Sequence, residues 1–316
     1  MGDRFRLTLA QLNPTVGDLA GNARMARAAW EEGRAAGADL VALPEMFITG
    51  YNTQDLVQKP AFHQAAIATI EALAHDCAEG PALAIGGPAL EGIGLYNAYY
   101  ILQGGAVRAR VLKHHLPNET VFDEVRLYES GPVAGPYMVA GVRIGSPICE
   151  DAWHEDVAET LAETGAEILL VPNGSPHYRD KMDLRQNMMV ARVIETGLPL
   201  VYLNMVGGQD DQMFDGGSFV LNPGGALAVQ LPMFQEAVTH VDLERGPEGW
   251  RAVPGDLAHL PDDMEQDYTA MVLSLRDYLR KSGFSKVLLG LSGGVDSAIV
   301  ATIAVDALGA QNVRCV

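Results

Sequence analysis

The chain has 316 residues, 48 % hydrophobic and 20 % charged, with 22 Lys and Arg against 40 Asp and Glu for a formal net charge of −18. That length suits one large domain or two smaller ones with ample core. So acidic a chain lacks the phosphate-facing cations that nucleic acid requires, and no apolar run reaches the length of a membrane span, so both are excluded as partners.

In chain order, residues 5–11 alternate as a strand that Asn13-Pro14 ends. Residues 22–36 form a helix closed by Gly37. Residues 39–43 form a strand running into Pro44-Glu45, and Gly50-Tyr51-Asn52 is a loop. A helix over 62–78 and a strand over 82–86 precede a hairpin, 97–102 with 106–113, that turns at Gly104-Gly105 and ends on Lys113. Residues 118–129 are a loop or short helix. Strands follow at 137–140 and 142–148, a helix at 155–164, a strand at 167–171 and a turn at 172–176. Next come a helix over 181–196, a strand over 199–204, a hairpin of 216–222 with 226–231, and a strand at 236–242. Strands interleaved with helices and hairpins predict an α/β chain with mixed rather than purely parallel sheets. Residues 246–263, rich in Gly, Pro and acids, read as a linker. An amphipathic helix over 264–283, a strand at 286–289, a Gly-rich turn and a helix at 298–308 complete the chain. Cys77, Cys149 and Cys315 stand far apart and outside metal spacing, and the start Met-Gly-Asp-Arg shows no signal peptide. A cytoplasmic protein with free thiols is expected.

Cys149 sits where a buried strand meets a helix start, where unpaired amides would lower a thiol pKa and could hold an oxyanion. Taken alone, that stretch reads rather as a small apolar residue packed at a strand end, as most free cysteines are. Glu45 and Lys113 also follow apolar strands, and an acid, an amine and a thiol are the parts for thiol acyl chemistry. Pro44-Glu45, Lys113 ahead of Leu116-Pro117-Asn118, and Cys149-Glu150-Asp151-Ala152-Trp153 together resemble the nitrilase, or carbon–nitrogen hydrolase, superfamily in type, order and spacing. The resemblance covers about the first 245 residues. It implies a four-layer α-β-β-α sandwich, with Glu45 as general base, Lys113 as oxyanion stabiliser and Cys149 as nucleophile, and no cofactor for this step. It further implies Glu150 and Ser175 at the substrate's ammonium, with Tyr51 and Trp153 closing over its carboxylate and stem. The plainer alternatives are an N-cap acid, a turn serine and core aromatics. Glu119 either faces the pocket and orients Lys113 or is an exposed loop acid. His114, His115, His154 and His177 are read as satisfied or solvated, with no metal site.

Leu291-Ser292-Gly293-Gly294-Val295-Asp296-Ser297 joins a strand to a helix and aims several amides at one point, as a phosphate cradle does. It lacks the Lys-Ser/Thr ending of a Walker A loop and resembles the pyrophosphate loop of ATP pyrophosphatases. A nitrilase domain followed by this loop resembles the glutamine-dependent NAD⁺ synthetases, with which Val206-Gly207-Gly208-Gln209-Asp210 and Phe214-Asp215-Gly216-Gly217-Ser218 also agree. That family carries Tyr-Gly where this chain has Glu119-Thr120. The resemblance implies that glutamine is hydrolysed at residues 1–245. The ammonia would then serve ATP- and Mg²⁺-dependent amidation of nicotinic acid adenine dinucleotide in a homo-oligomer. Ser292, Gly293, Gly294, Val295, Asp296 and Ser297 would bind ATP. Residues 264–316 are then the truncated beginning of a Rossmann-like ATP-pyrophosphatase domain, and the chain as it stands is at most a glutaminase. A stand-alone amidase of the ω-amidase or carbamoylase type is the alternative, which the Ser292–Ser297 loop opposes. A non-catalytic module is a further one, which the three strand-end residues oppose.

Overall fold

The computed structural model describes residues 3–316. Strand β1 (Arg4–Gln11) sends Phe5, Leu7 and Leu9 to one core and Ala10 to another, so its alternation separates two buried faces. Helix α1 (Leu19–Ala35) starts on Asp18, whose carboxylate accepts from the Gly21 amide at 2.8 Å. It packs Ala26 and Trp30 inward. Then follow β2 (Leu40–Ala42), α2 (Pro60–Asp76), β3 (Ala82–Glu91), β4 (Gly94–Gln103) and β5 (Ala106–Leu112). A one-turn helix α3 (Glu124–Leu127) leads to β6 (Tyr137–Val139) and β7 (Val142–Gly145). Next are α4 (Glu155–Glu163), β8 (Ile168–Asn173), α5 (Lys181–Thr196) and β9 (Leu200–Asn204). Two hairpins follow, β10 (Val206–Gln209) with β11 (Gln212–Asp215) and β12 (Phe219–Asn222) with β13 (Ala226–Gln230); β14 (Ala237–Gly246) and β15 (Gly249–Ala252) come after them.

The strands form a seven-stranded sheet, β15-β14-β1-β2-β3-β4-β5, and a six-stranded sheet, β13-β12-β9-β8-β7-β6. Both are mixed: β1–β2–β3 and β7–β8–β9 run parallel while their outer strands pair antiparallel. One core lies between the sheets, joining Leu7, Leu40 and Ile101 to Ile144, Leu170 and Val201. A second joins the first sheet to α1 and α2, and a third joins the second sheet to α4 and α5. The result is the four-layer α-β-β-α sandwich.

Three local departures from the sequence reading have physical causes. Strand β3 continues past Gly86-Gly87-Pro88 to Glu91 and pairs with β4 throughout. Glycine at position 86 reflects close approach rather than a break, since a Cβ there would lie 2.1 Å from the Met46 nitrogen. The β10–β11 hairpin was hidden because Gly207-Gly208 dilutes its pattern. Part of the expected linker is ordered sheet: β15 extends the first sheet, and the Gln230 amide donates to the Asp256 carbonyl at 3.0 Å.

Helix α6 (Asp263–Lys281) is anchored on the sandwich. Asp277, 1 % exposed, accepts from the Asn13 side-chain amide at 2.7 Å and the Gly208 backbone N–H at 2.9 Å. Lys281 Nζ donates to the carbonyls of Pro14 and Gly208, both at 2.9 Å, and burial lowers its pKa to about 8. Asp277→Ala leaves two buried donors unpaired, a cost of about 1–3 kcal/mol. Limited proteolysis is expected to cut residues 253–262 faster in that variant, and equal cutting rates would show the anchor to be idle. Beyond α6, the parallel pair β16 (Val287–Leu289) and β17 (Val313–Cys315) brackets α7 (Val295–Leu308).

Candidate active site at the strand ends

Glu45 follows β2, Lys113 follows β5 and Cys149 lies beyond β7, and the stacked sheets bring these ends together. Lys113 Nζ lies 2.8 Å from Glu45 Oε1 and 2.7 Å from Glu124 Oε2, with all three side chains fully buried. Asn97 donates its amide to Glu45 Oε1 at 2.7 Å and Glu124 Oε1 at 3.1 Å. The Tyr51 hydroxyl donates to Glu124 at 2.8 Å, and the Gly174 backbone N–H donates to Glu45 Oε2 at 2.8 Å. A Cβ on Gly174 would lie 2.7 Å from the Tyr51 ring, so a glycine is what lets this amide reach the carboxylate. The loop behind it is fixed by buried Arg185, which bonds Asp215 Oδ1 at 2.7 Å, the Ser175 carbonyl at 2.7 Å and Ser175 Oγ at 3.2 Å.

Cys149 is 4 % exposed and holds φ at +47°, a left-handed conformation costly for a residue with a Cβ. It begins a 3-10 turn, Cys149–Trp153, whose Asp151 accepts from the amides of Ile148 (3.0 Å), His114 (3.0 Å) and His115 (2.7 Å). Asp151 thereby ties the cysteine turn to the residues directly after Lys113.

Burial raises the Cys149 pKa well above its ordinary value, and Glu45 adds to this, while Lys113 opposes it. Against the lowering expected from helix amides stands this burial, and α4 begins only at Glu155, which leaves one short turn of amides beside the sulfur. Burial also disfavours the Lys113 ammonium, but Glu124 and Glu45 overcome it and raise the Lys113 pKa. Glu124 is raised by burial and by Glu45, against the pull of Lys113. The arrangement sets a buried thiol beside a buried acid–amine–acid chain.

Sequence reasoning missed Glu124, Asn97 and Gly174. Glu124 sits in the segment read as loop or short helix, and only its spacing after Lys113 could have flagged it. Glu119, expected either to face the pocket and orient Lys113 or to be a loop acid, is exposed, and the acid that meets Lys113 beside Glu45 is Glu124. Glu119, Glu150 and Trp153 line a cleft of about 770 Å³ together with His177, Lys181 and Phe122. Lys181 Nζ lies 4.2 Å from the Trp153 ring centroid. Tyr51 and Ser175 are buried outside that lining, Tyr51 against Phe122 and Phe214 and Ser175 against Arg185. His177 Nδ1 pairs with Asp215 at 3.1 Å.

The Ser292–Ser297 loop lies at the start of α7, far along the chain from this cluster. Ser292 Oγ and Ser297 Oγ are 3.1 Å apart, Gly293 holds φ at +85°, and the loop is largely exposed. Among the described residues, no helix is long and apolar enough to cross a membrane.

Comparison with known proteins places both parts of the chain. Residues 267–316 match a family model described as NAD synthase. A glutamine-dependent NAD(+) synthetase of Rhodobacter capsulatus is 67 % identical across all of this chain and 57 % of that protein, and one from Aquifex aeolicus is 36 % identical over 98 % and 60 %. The chain therefore spans somewhat over half the length of the curated relatives it matches. The structure of the glutamine-dependent NAD+ synthetase from Acinetobacter baumannii superimposes with a TM-score of 0.91 at 33 % identity, over 99 % of this chain and 59 % of that one. Matched by the Carbon-nitrogen hydrolase family model along residues 6–249, the chain belongs to the carbon–nitrogen hydrolase family.

Proposed function

We propose that this chain is the glutamine-hydrolysing part of a glutamine-dependent NAD⁺ synthetase. The observation that carries the reading is the buried Glu45–Lys113–Glu124 chain facing the Cys149 thiol. The names of the relatives support glutamine as the amide.

Glu45 takes the Cys149 proton as sulfur attacks the side-chain amide carbon. Lys113 Nζ and the amides following Cys149 stabilise the oxyanion. The C–N bond breaks, Glu45 returns the proton to the leaving nitrogen, and ammonia departs. Water gives a proton to Glu45 and attacks the thioester, and glutamate leaves as the thiol is restored. Glu124, Asn97 and the Gly174 amide act as positioning groups that keep Lys113 and Glu45 in one orientation. Glu150 and Trp153, on the cleft wall, suit the ends of a zwitterionic amino acid, and Glu119 lies at the same opening.

The ammonia would pass to the portion beginning near residue 264. There Ser292, Gly293, Gly294, Val295, Asp296 and Ser297 would hold ATP phosphates, with Mg²⁺ accompanying them, for amidation of nicotinic acid adenine dinucleotide. Two hydroxyls at a helix start, with the Gly294 N–H donating to Ser292 Oγ at 3.4 Å, suit that task. A homo-oligomer in the cytoplasm belongs to the same reading.

The test is ammonia release from glutamine by the purified chain. Cys149→Ala is expected to reduce it to background, since no covalent route remains. Persistent release from that variant sinks the mechanism, and turnover of short aliphatic amides but not glutamine replaces the synthetase reading with a stand-alone amidase.

A further inference from the structure

Folding gathers a set of metal-type donors outside the catalytic cluster. His114 and His115 follow Lys113 directly, and Asp156 lies in the first turn of α4, yet donor atoms of the three lie within 4.8 Å of one another. His115 Nε2 is 2.9 and 3.0 Å from the two Asp156 oxygens. His114 Nδ1 sits 2.7 Å from the Gly131 carbonyl. A carbonyl oxygen only accepts, so Nδ1 carries the proton and Nε2 keeps its lone pair. Metal-bound imidazoles are fixed in the same way, by an outer contact that sets the tautomer. The His154 ring stacks on His115 at a centroid distance of 4.0 Å, and His115, His154 and Asp156 border a surface cleft of about 420 Å³. The cluster is thus open to an ion from solvent, with His114 and His115 half-buried and Asp156 exposed.

We propose that His114, His115 and Asp156 form a binding site for a divalent transition-metal ion of the Zn²⁺ class. Two imidazoles and one carboxylate suit Zn²⁺, Co²⁺ or Ni²⁺ over Ca²⁺ and Mg²⁺, which take oxygen donors. Three protein ligands leave a fourth position for water. The site joins the segment after Lys113 to α4. The amides of His114 and His115 already hold Asp151, whose second oxygen holds Ile148 beside Cys149. An ion here grips the frame that carries both the ammonium and the sulfur.

Calorimetric titration of the chelator-treated full chain with ZnCl₂ tests this. Cys149→Ala and Cys315→Ser are introduced together so that neither thiol competes for the ion. One equivalent is expected to bind, and Asp156→Asn or His115→Ala should each weaken binding by roughly tenfold or more. Co²⁺ in place of Zn²⁺ should give visible absorption typical of four-coordinate nitrogen and oxygen ligation, lost in the same variants. Asp156→Asn, an exposed and nearly isosteric change, keeps the test valid if His115→Ala disturbs folding. No saturable binding below millimolar Zn²⁺, or binding indifferent to both substitutions, overturns the proposal.

Discussion

Glu45→Gln is expected to lower glutamine hydrolysis by roughly 10³-fold or more, while the Cys149 thiol of the same variant becomes easier to ionise. The two effects have opposite signs for one reason. Glu45 stands second only to burial among the causes that raise the Cys149 pKa. A neutral amide removes that repulsion but leaves Lys113, which pulls the other way. The thiolate fraction at a given pH therefore rises, and the onset of alkylation by iodoacetamide moves to lower pH. Turnover nevertheless collapses, because no group remains to carry the proton from sulfur to the departing nitrogen or to activate water. The substitution keeps the size of the side chain and Lys113 retains its 2.7 Å partner Glu124, at the loss of the bond accepted from the Gly174 N–H. Ammonia release and the pH dependence of alkylation, measured on the same preparation, separate loss of a base from loss of structure. If both quantities fall together, Glu45 holds the site together rather than moving protons.

The strand-end positions of Glu45, Lys113 and Cys149 were legible in the sequence because each follows an apolar run that only a buried strand explains. The sandwich was not legible from periodicity. Residues such as Leu7 and Ile144 meet across two sheets, and pairing between sheets leaves no local spacing signal. Glu124 and Gly174 escaped for a related reason. Glu124 meets Lys113 from a helix of a single turn and Gly174 meets Glu45 from a loop, and in neither does a 2-residue or 3.6-residue period run long enough to mark the inward side. Gly86 misled because a glycine that permits close backbone approach resembles one that breaks a strand. His114, His115 and Asp156 are joined only by tertiary structure, so spacing rules for metal ligands could not connect them.

Lys113→Met is expected to abolish activity and also to destabilise the chain, by about 3–5 kcal/mol near neutral pH. The ammonium is the cation that sits between Glu45 and Glu124, all three fully buried. Without it two carboxylates face each other away from water, and one must take up a proton for the fold to persist. Glu124 is already raised above the ordinary 4.5 by burial and by Glu45, with Lys113 as the strongest pull downward. Removing that pull raises the folded-state pKa further above the unfolded-state value. The folded variant then holds a proton that the unfolded chain releases, so its stability is fullest below about pH 4.5 and is lost as pH rises through the folded-state pKa. The deficit relative to wild type should therefore be small in acid and grow toward pH 7. Adding Glu124→Gln removes one of the opposed charges and should restore much of the stability but none of the turnover. Thermal or denaturant unfolding at pH 5 and pH 8 checks this. A deficit equal at both values, or one that Glu124→Gln fails to relieve, would mean that Lys113 supports the fold through packing and not through its charge.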